Sequence, residues 1–186
     1  MKKSIFFVIL MVLIATIYMT GNTSAEVRSM GNLVITSSAF ENGGFIPKQY
    51  TGKGEDKSPP LEIKGVTPRA KSVAIIVDDP DIPIPFLSFT HWVVYNIPVN
   101  IAKIEENIPR EEVIKVLGEA LQGKNGFRRI GYMGPEPPFG THTYRFMVFT
   151  LDTVLDLNPG ATRKQLEKAM KGHILQTGLL EGKFGT

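Results

Sequence analysis

Three stretches of this chain are apolar on both faces of an extended strand, and nothing else in the sequence constrains the fold as strongly. They are KSVAIIVDD (Lys71 to Asp79), HWVVYNIP (His91 to Pro98) and TYRFMVFTL (Thr143 to Leu151). Side chains alternate across a strand. His91, Val93 and Tyr95 are therefore expected on one face, and Trp92, Val94 and Asn96 on the other. If the last strand begins at His142, then His142, Tyr144, Phe146 and Val148 share a face, and Arg145, Met147 and Phe149 take the opposite one. Strands covered on both sides belong in the middle of a sheet or sandwich. LVITSS (Leu33 to Ser38) reads as a further strand. Glu41 to Pro60 is turn-rich, and DPDIPIP stops a ladder because proline has no amide hydrogen to donate.

Helical pattern is scarce. PREEVIKVLGEA (Pro109 to Ala120) is expected to form a short helix, with Glu111 and Glu112 in its first turn. ATRKQLEKAMKGHIL offers a better one. Thr162 is an N-cap, Gln165 occupies the capping-box position, and Leu166, Ala169, Met170, His173 and Ile174 make one apolar stripe. His173 on that stripe reads as structural. The expected class is mainly β, with one or two peripheral helices including one near the C-terminus.

The chain has 186 residues, of which 42% are hydrophobic, enough for one domain with its own core. It has no cysteine, which excludes disulfides, thiolate metal sites and cysteine nucleophiles. Lys2 and Lys3, the apolar run Ile5 to Met19 and the small residues Thr23 and Ala25 read as a signal peptide over residues 1–25. The apolar run is shorter than the roughly 20 residues a spanning helix needs. The expectation is an exported protein, periplasmic or secreted, with a single domain over residues 26–186; an uncleaved segment would instead anchor it. Cleavage removes Lys2 and Lys3 and no acid, so the formal charge of +3 falls by two. No basic block denser than Arg128-Arg129 occurs, so nucleic-acid binding has no support.

Polar groups gather at strand ends. Asp78, Asp79 and Asp81 leave one strand, His91 enters the next, and His142 and Tyr144 follow the proline-rich GYMGPEPPFG. Each has a plain reading as well. Asp before Pro often caps a turn, and a histidine at a strand edge is often a satisfied structural group. No G-x-S-x-G elbow, P-loop or G-x-G-x-x-G followed by a helix is present. Ser88 lies three residues from His91, which in a strand points the two apart.

DDPDIP followed by FTHWVVYNIP resembles the first signature of the phosphatidylethanolamine-binding protein family, and GYMGPEPPFGTHTYRF resembles the second. KSPPLEIKGVTP, LQGKNGFRRIGY and AMKGHIL extend the likeness to nearly the whole chain after Leu33, the last matching the C-terminal helix of the bacterial branch often called Raf kinase inhibitor-like. The resemblance implies a β-sandwich with a small pocket at one end. That pocket takes an anion such as phosphate or a phospholipid headgroup, without a cofactor. By motif its walls are Asp79, Asp81, His91, Pro138, His142 and Tyr144, with backbone amides from Gly140 and Thr141. A protonated histidine donates to anionic oxygens, and a neighbouring carboxylate favours that form. The resemblance also implies a cis peptide, with Pro83 or Pro138 as candidates, a protein partner to be regulated or inhibited, and homodimers among bacterial members. Thr143 stands where many relatives have arginine, which leaves Arg145 with no assured bridge to Asp79 or Asp81, and Phe184 is the aromatic nearest the C-terminus that can close the mouth. The alternative is a hydrolase using His91, His142 and Asp79 as a metal or acid–base site.

Overall fold

The computed structural model describes residues 32–84 and 87–185. The expected leader, residues 1–25, lies outside them. Strands come first and dominate: β1 (Val34–Thr36), β2 (Leu61–Lys64), β3 (Ser72–Asp79), β4 (Phe89–Ile97), β5 (Lys103–Ile104), β6 (Val113–Ile114), β7 (Ala120–Gln122) and β8 (Thr141–Leu151). The helix α1 (Arg163–Met170) and the long β9 (Ile174–Gly185) close the chain. A three-stranded sheet runs β1-β2-β5 and a six-stranded sheet runs β6-β7-β4-β3-β8-β9. The three strands apolar on both faces, β4, β3 and β8, are adjacent at the centre of the larger sheet, as their patterning requires.

Alternation along these strands builds two cores. Val73, Ile75, Val77, Trp92, Val94, Tyr144, Phe146 and Val148 face the small sheet, where Ile35, Leu61, Ile63 and Ile104 meet them. Ala74, Ile76, Val93 and Tyr95 face the other way, against Leu155, Ala161, Leu166 and Met170. Fully burying one such aliphatic or aromatic side chain is worth about 1.5–3 kcal/mol, so two cores of this size need no covalent staple. α1 begins as its sequence dictates: Thr162 accepts from the Gln165 backbone, and the Gln165 side chain accepts from the Thr162 amide.

Three expectations about local structure fail for identifiable reasons. Pro109 to Ala120 is not an α-helix. Val113 and Ile114 pair with Leu121 and Ala120, and a 3-10 turn over Lys115–Leu117 leads into Gly118 and Glu119, both with positive φ. β-branched residues and a left-handed turn favour a hairpin over a helix. At the C-terminus the helical stripe ends at Met170. His173 and Ile174 lie beyond the helix and are exposed, with His173 Nδ1 2.8 Å from Asp152 Oδ1. Strand β9 was hidden by its glycines. They are packing accommodations, because a Cβ on Gly178 or Gly182 would meet Ile35 or Ile46 at 2.7 and 2.6 Å. Third, all peptide bonds among the described residues are trans, including those at Pro83 and Pro138.

β4 also departs from simple alternation. Ile76 pairs with Val93 and Val77 with Trp92, but Asp78 pairs with Thr90, so His91 is an extra residue in the ladder. This bulge takes His91 off the Val93 and Tyr95 face and sets its ring edge-on to Tyr144, 5.1 Å away. Asn96, at φ 59°, likewise leaves the face of Trp92 and exchanges two hydrogen bonds with the backbone of Leu155.

Candidate functional site

The parity that places Val77 and Phe146 between the sheets carries past them to Asp79 and His142 at the ends of β3 and β8. The inter-sheet core therefore finishes in polar groups. Asp79, His91, His142 and Tyr144 line a cavity of about 330 Å³ there, and all four are at least nine-tenths buried. The cavity walls are apolar: Ile82 and Pro83 from the loop after β3, Phe89 from β4, Phe127, Met133, and Pro137 and Pro138 from the proline-rich loop. Glu136 stands at the same wall, and among the described residues no lysine or arginine lines the cavity.

The proline-rich loop is a wall because it is pinned along its length. Met133 donates its amide to the His91 carbonyl at 3.0 Å and accepts from His91 Nδ1 at 2.6 Å. Gly134 donates to Asp56 Oδ1 at 2.6 Å, Gly52 donates to the Pro135 carbonyl, and the Tyr132 hydroxyl donates to the Tyr50 carbonyl at 2.9 Å. Prolines between such ties lose little further entropy on binding.

Each polar group on the floor has a defined state. A carbonyl only accepts, so the Met133 bond puts the proton of His91 on Nδ1. Burial lowers the His91 pKa, against the opposing pull of Met133 and Asp79. His142 Nδ1 lies 2.7 Å from Asp79 Oδ2, and Asp79 Oδ1 accepts the Asp81 amide at 2.8 Å. In both histidines the nitrogen left over is therefore Nε2. The Tyr144 hydroxyl is buried with no hydrogen-bond partner among the described residues. Burial, followed by the charge of Asp79, raises its pKa far above the ordinary phenol value, so it remains a donor.

Of the residues expected from sequence, Asp79, His91, Pro138, His142 and Tyr144 converge on the cavity. Asp81 and Gly140 do not line it. Asp81 is exposed and accepts the Thr143 amide at 2.7 Å, tying the turn after β3 to the start of β8. Gly140 is exposed in a left-handed turn at φ 67°. Phe184 sits opposite His142 in the ladder and packs on the inter-sheet core, outside the cavity lining. Sequence reasoning passed over Phe89, Phe127, Met133 and Glu136. Phe127 had a visible signal, a large aromatic between Gly126 and the Arg128-Arg129 pair rather than in an apolar run, and the structure leaves it 63% exposed.

Arg145 forms its bridge to Asp78, with Nε and Nη2 at 2.9 and 2.7 Å, and so reaches neither Asp79 nor Asp81. Arg163 Nη1 reaches the same carboxylate at 2.7 Å and also meets Ser88 Oγ at 2.7 Å. Ser88 is thus held by an arginine, away from either histidine of the floor. Among the described residues, no group of three or more His, Asp or Glu side chains is arranged to hold a metal.

The phosphatidylethanolamine-binding protein family model matches residues 36–185. The chain belongs to that family. A protein of Pyrococcus abyssi in the uncharacterised group UPF0098 is 51% identical over 154 residues, 82% of this chain and 85% of its own. The crystal structure of a family homologue from Chlamydia trachomatis superposes with a TM-score of 0.75 at 38% identity, covering 83% of this chain and 98% of that one. YbcL of Escherichia coli, described as a member of the mammalian family, gives 0.76 at 26% identity over 84% and 99% of the two chains. The mainly β sandwich, with one α-helix among the described residues, is the family fold.

Proposed function

We propose that this protein is exported and binds a small oxyanion in the cavity floored by Asp79, His91, His142 and Tyr144, the anion being either free or part of a phospholipid headgroup. The observation that carries this reading is the Tyr144 hydroxyl, a buried donor beside the Asp79 carboxylate that makes no hydrogen bond of normal geometry among the described residues. A buried polar group left unpaired costs about 1–3 kcal/mol, and a bound oxygen removes that cost. The Nδ1 bonds of both histidines support it, since they fix the rings and leave Nε2 for a ligand. The apolar walls suit the carbon substituent of an esterified head. Occupancy of the cavity, without turnover, then regulates a partner protein.

The test is an NMR titration with inorganic phosphate, following the ring signals of His91 and His142. Both are expected to shift at millimolar phosphate, as suits a weak site; static signals reject the reading. Export is checked separately, by mass spectrometry of the protein recovered from its host, with Glu26 expected as the first residue.

A further inference from the structure

The floor of the cavity is short of donors. Tyr144 supplies one. His142, with Nδ1 committed to Asp79, supplies a second at Nε2 only as imidazolium. His91 supplies none in its neutral form. Its Nδ1–H is spent on the Met133 carbonyl, so its Nε2 is a lone pair. The groups around this ring are Asp79 and Asp78 on β3, His142 and Tyr144 on β8, Asp56 behind the proline-rich loop and Glu136 on it, with Phe89 at 5.2 Å. Burial lowers the His91 pKa and outweighs the carboxylates, so the lone pair persists at neutral pH. Among the described residues, no lysine or arginine lines the cavity to offset a doubly charged ligand.

A tetrahedral oxyanion with no proton would set an oxygen lone pair against the His91 lone pair. One that carries an O–H would donate it there and accept from Tyr144. We infer that the cavity selects an oxyacid that keeps a proton, its O–H donating to His91 Nε2, over a fully deprotonated oxyanion of the same shape. This rests on the oxyanion reading above and narrows it to inorganic phosphate or a phosphate monoester. A phosphodiester, the linkage inside an intact phospholipid, has no proton to give.

The experiment is calorimetric titration of the protein at pH 7 with four probes. Inorganic phosphate keeps a proton at this pH, whereas sulfate and dimethyl phosphate have none. Methyl phosphate loses its last proton above about pH 6. The expected result is inorganic phosphate at least about tenfold tighter than sulfate and dimethyl phosphate, the scale of one misdirected buried hydrogen bond. Methyl phosphate should match inorganic phosphate near pH 6 and weaken relative to it by about tenfold per pH unit above, as its protonated fraction falls. Ring 15N shifts of the free protein should report a protonated Nδ1 and a bare Nε2 at His91. Equal affinities for phosphate, sulfate and dimethyl phosphate overturn the inference while leaving the oxyanion site standing. Tighter binding of dimethyl phosphate overturns it in favour of an intact headgroup. Failure of all four to bind removes the oxyanion reading itself.

Discussion

Asp78 and Asp79 are neighbours in one strand and live in opposite environments. Asp78 points to the outer core and is saturated, receiving three bonds from Arg145 and Arg163 with no exposed surface. Asp79 points between the sheets and is committed to His142 and its own turn, at the edge of an open cavity. The first ties β3 to β8 and α1. The second orients an imidazole and leaves the chemistry beside it unfinished. Saturation of a buried charge marks structure, and an unpaired donor next to one marks a place for a ligand.

The sharpest way to break this contrast is Asp78→Asn. Removing one partner of a buried ion pair costs about 3 kcal/mol or more, and the low end applies because Arg145 and Arg163 are partly exposed. Urea unfolding should show that loss, while the folded fraction binds phosphate as before. Loss of phosphate binding as well would mean that the two faces act as one unit. Asp79→Asn should do the reverse. It keeps an acceptor for His142, so stability falls by about 1 kcal/mol, but phosphate affinity drops by tenfold or more as the carboxylate that orients the ring becomes a neutral amide. Tyr144→Phe is cleaner still. No hydrogen bond of normal geometry among the described residues is lost, so stability changes by less than about 0.5 kcal/mol, and phosphate binds about tenfold more weakly.

Acid separates the two regions by pH. Burial pushes the Asp78 pKa up, but the bonds from Arg145 and Arg163 more than offset it, and the net shift is downward. Its stabilisation is therefore whole above the unfolded value of about 3.9 and is lost as pH falls below it. His91 is also shifted downward. It binds a proton less readily folded than unfolded, so stability begins to fall earlier, as pH drops below about 6.5, the unfolded value. Unfolding midpoints should therefore decline in two limbs, and His91→Gln should flatten only the upper one. The smallest effect belongs to Glu167→Gln. It removes an exposed helical partner of Arg163, worth about 0.3–0.5 kcal/mol, and should leave both faces unchanged.

Much of this molecule could be read from local pattern. The buried strands β3, β4 and β8 follow from apolar residues on both faces, and the start of α1 follows from Thr162 and Gln165. The shared face of His142, Tyr144, Phe146 and Val148 follows from strand geometry alone. Each of these depends on residues within a few positions of one another, so the physics is complete in the sequence. The bulge at His91 is different, because it arises from the register of β4 against β3, set between segments apart in the chain. The same holds for the clamp of Met133 on His91, for Asp56 reaching Gly134 across 78 residues, and for β9, whose glycines make sense only against Ile35 and Ile46. Sequence determined which groups stand at the strand ends. Tertiary packing decided which nitrogen each histidine keeps free, because that is set by hydrogen-bond partners far away in the chain.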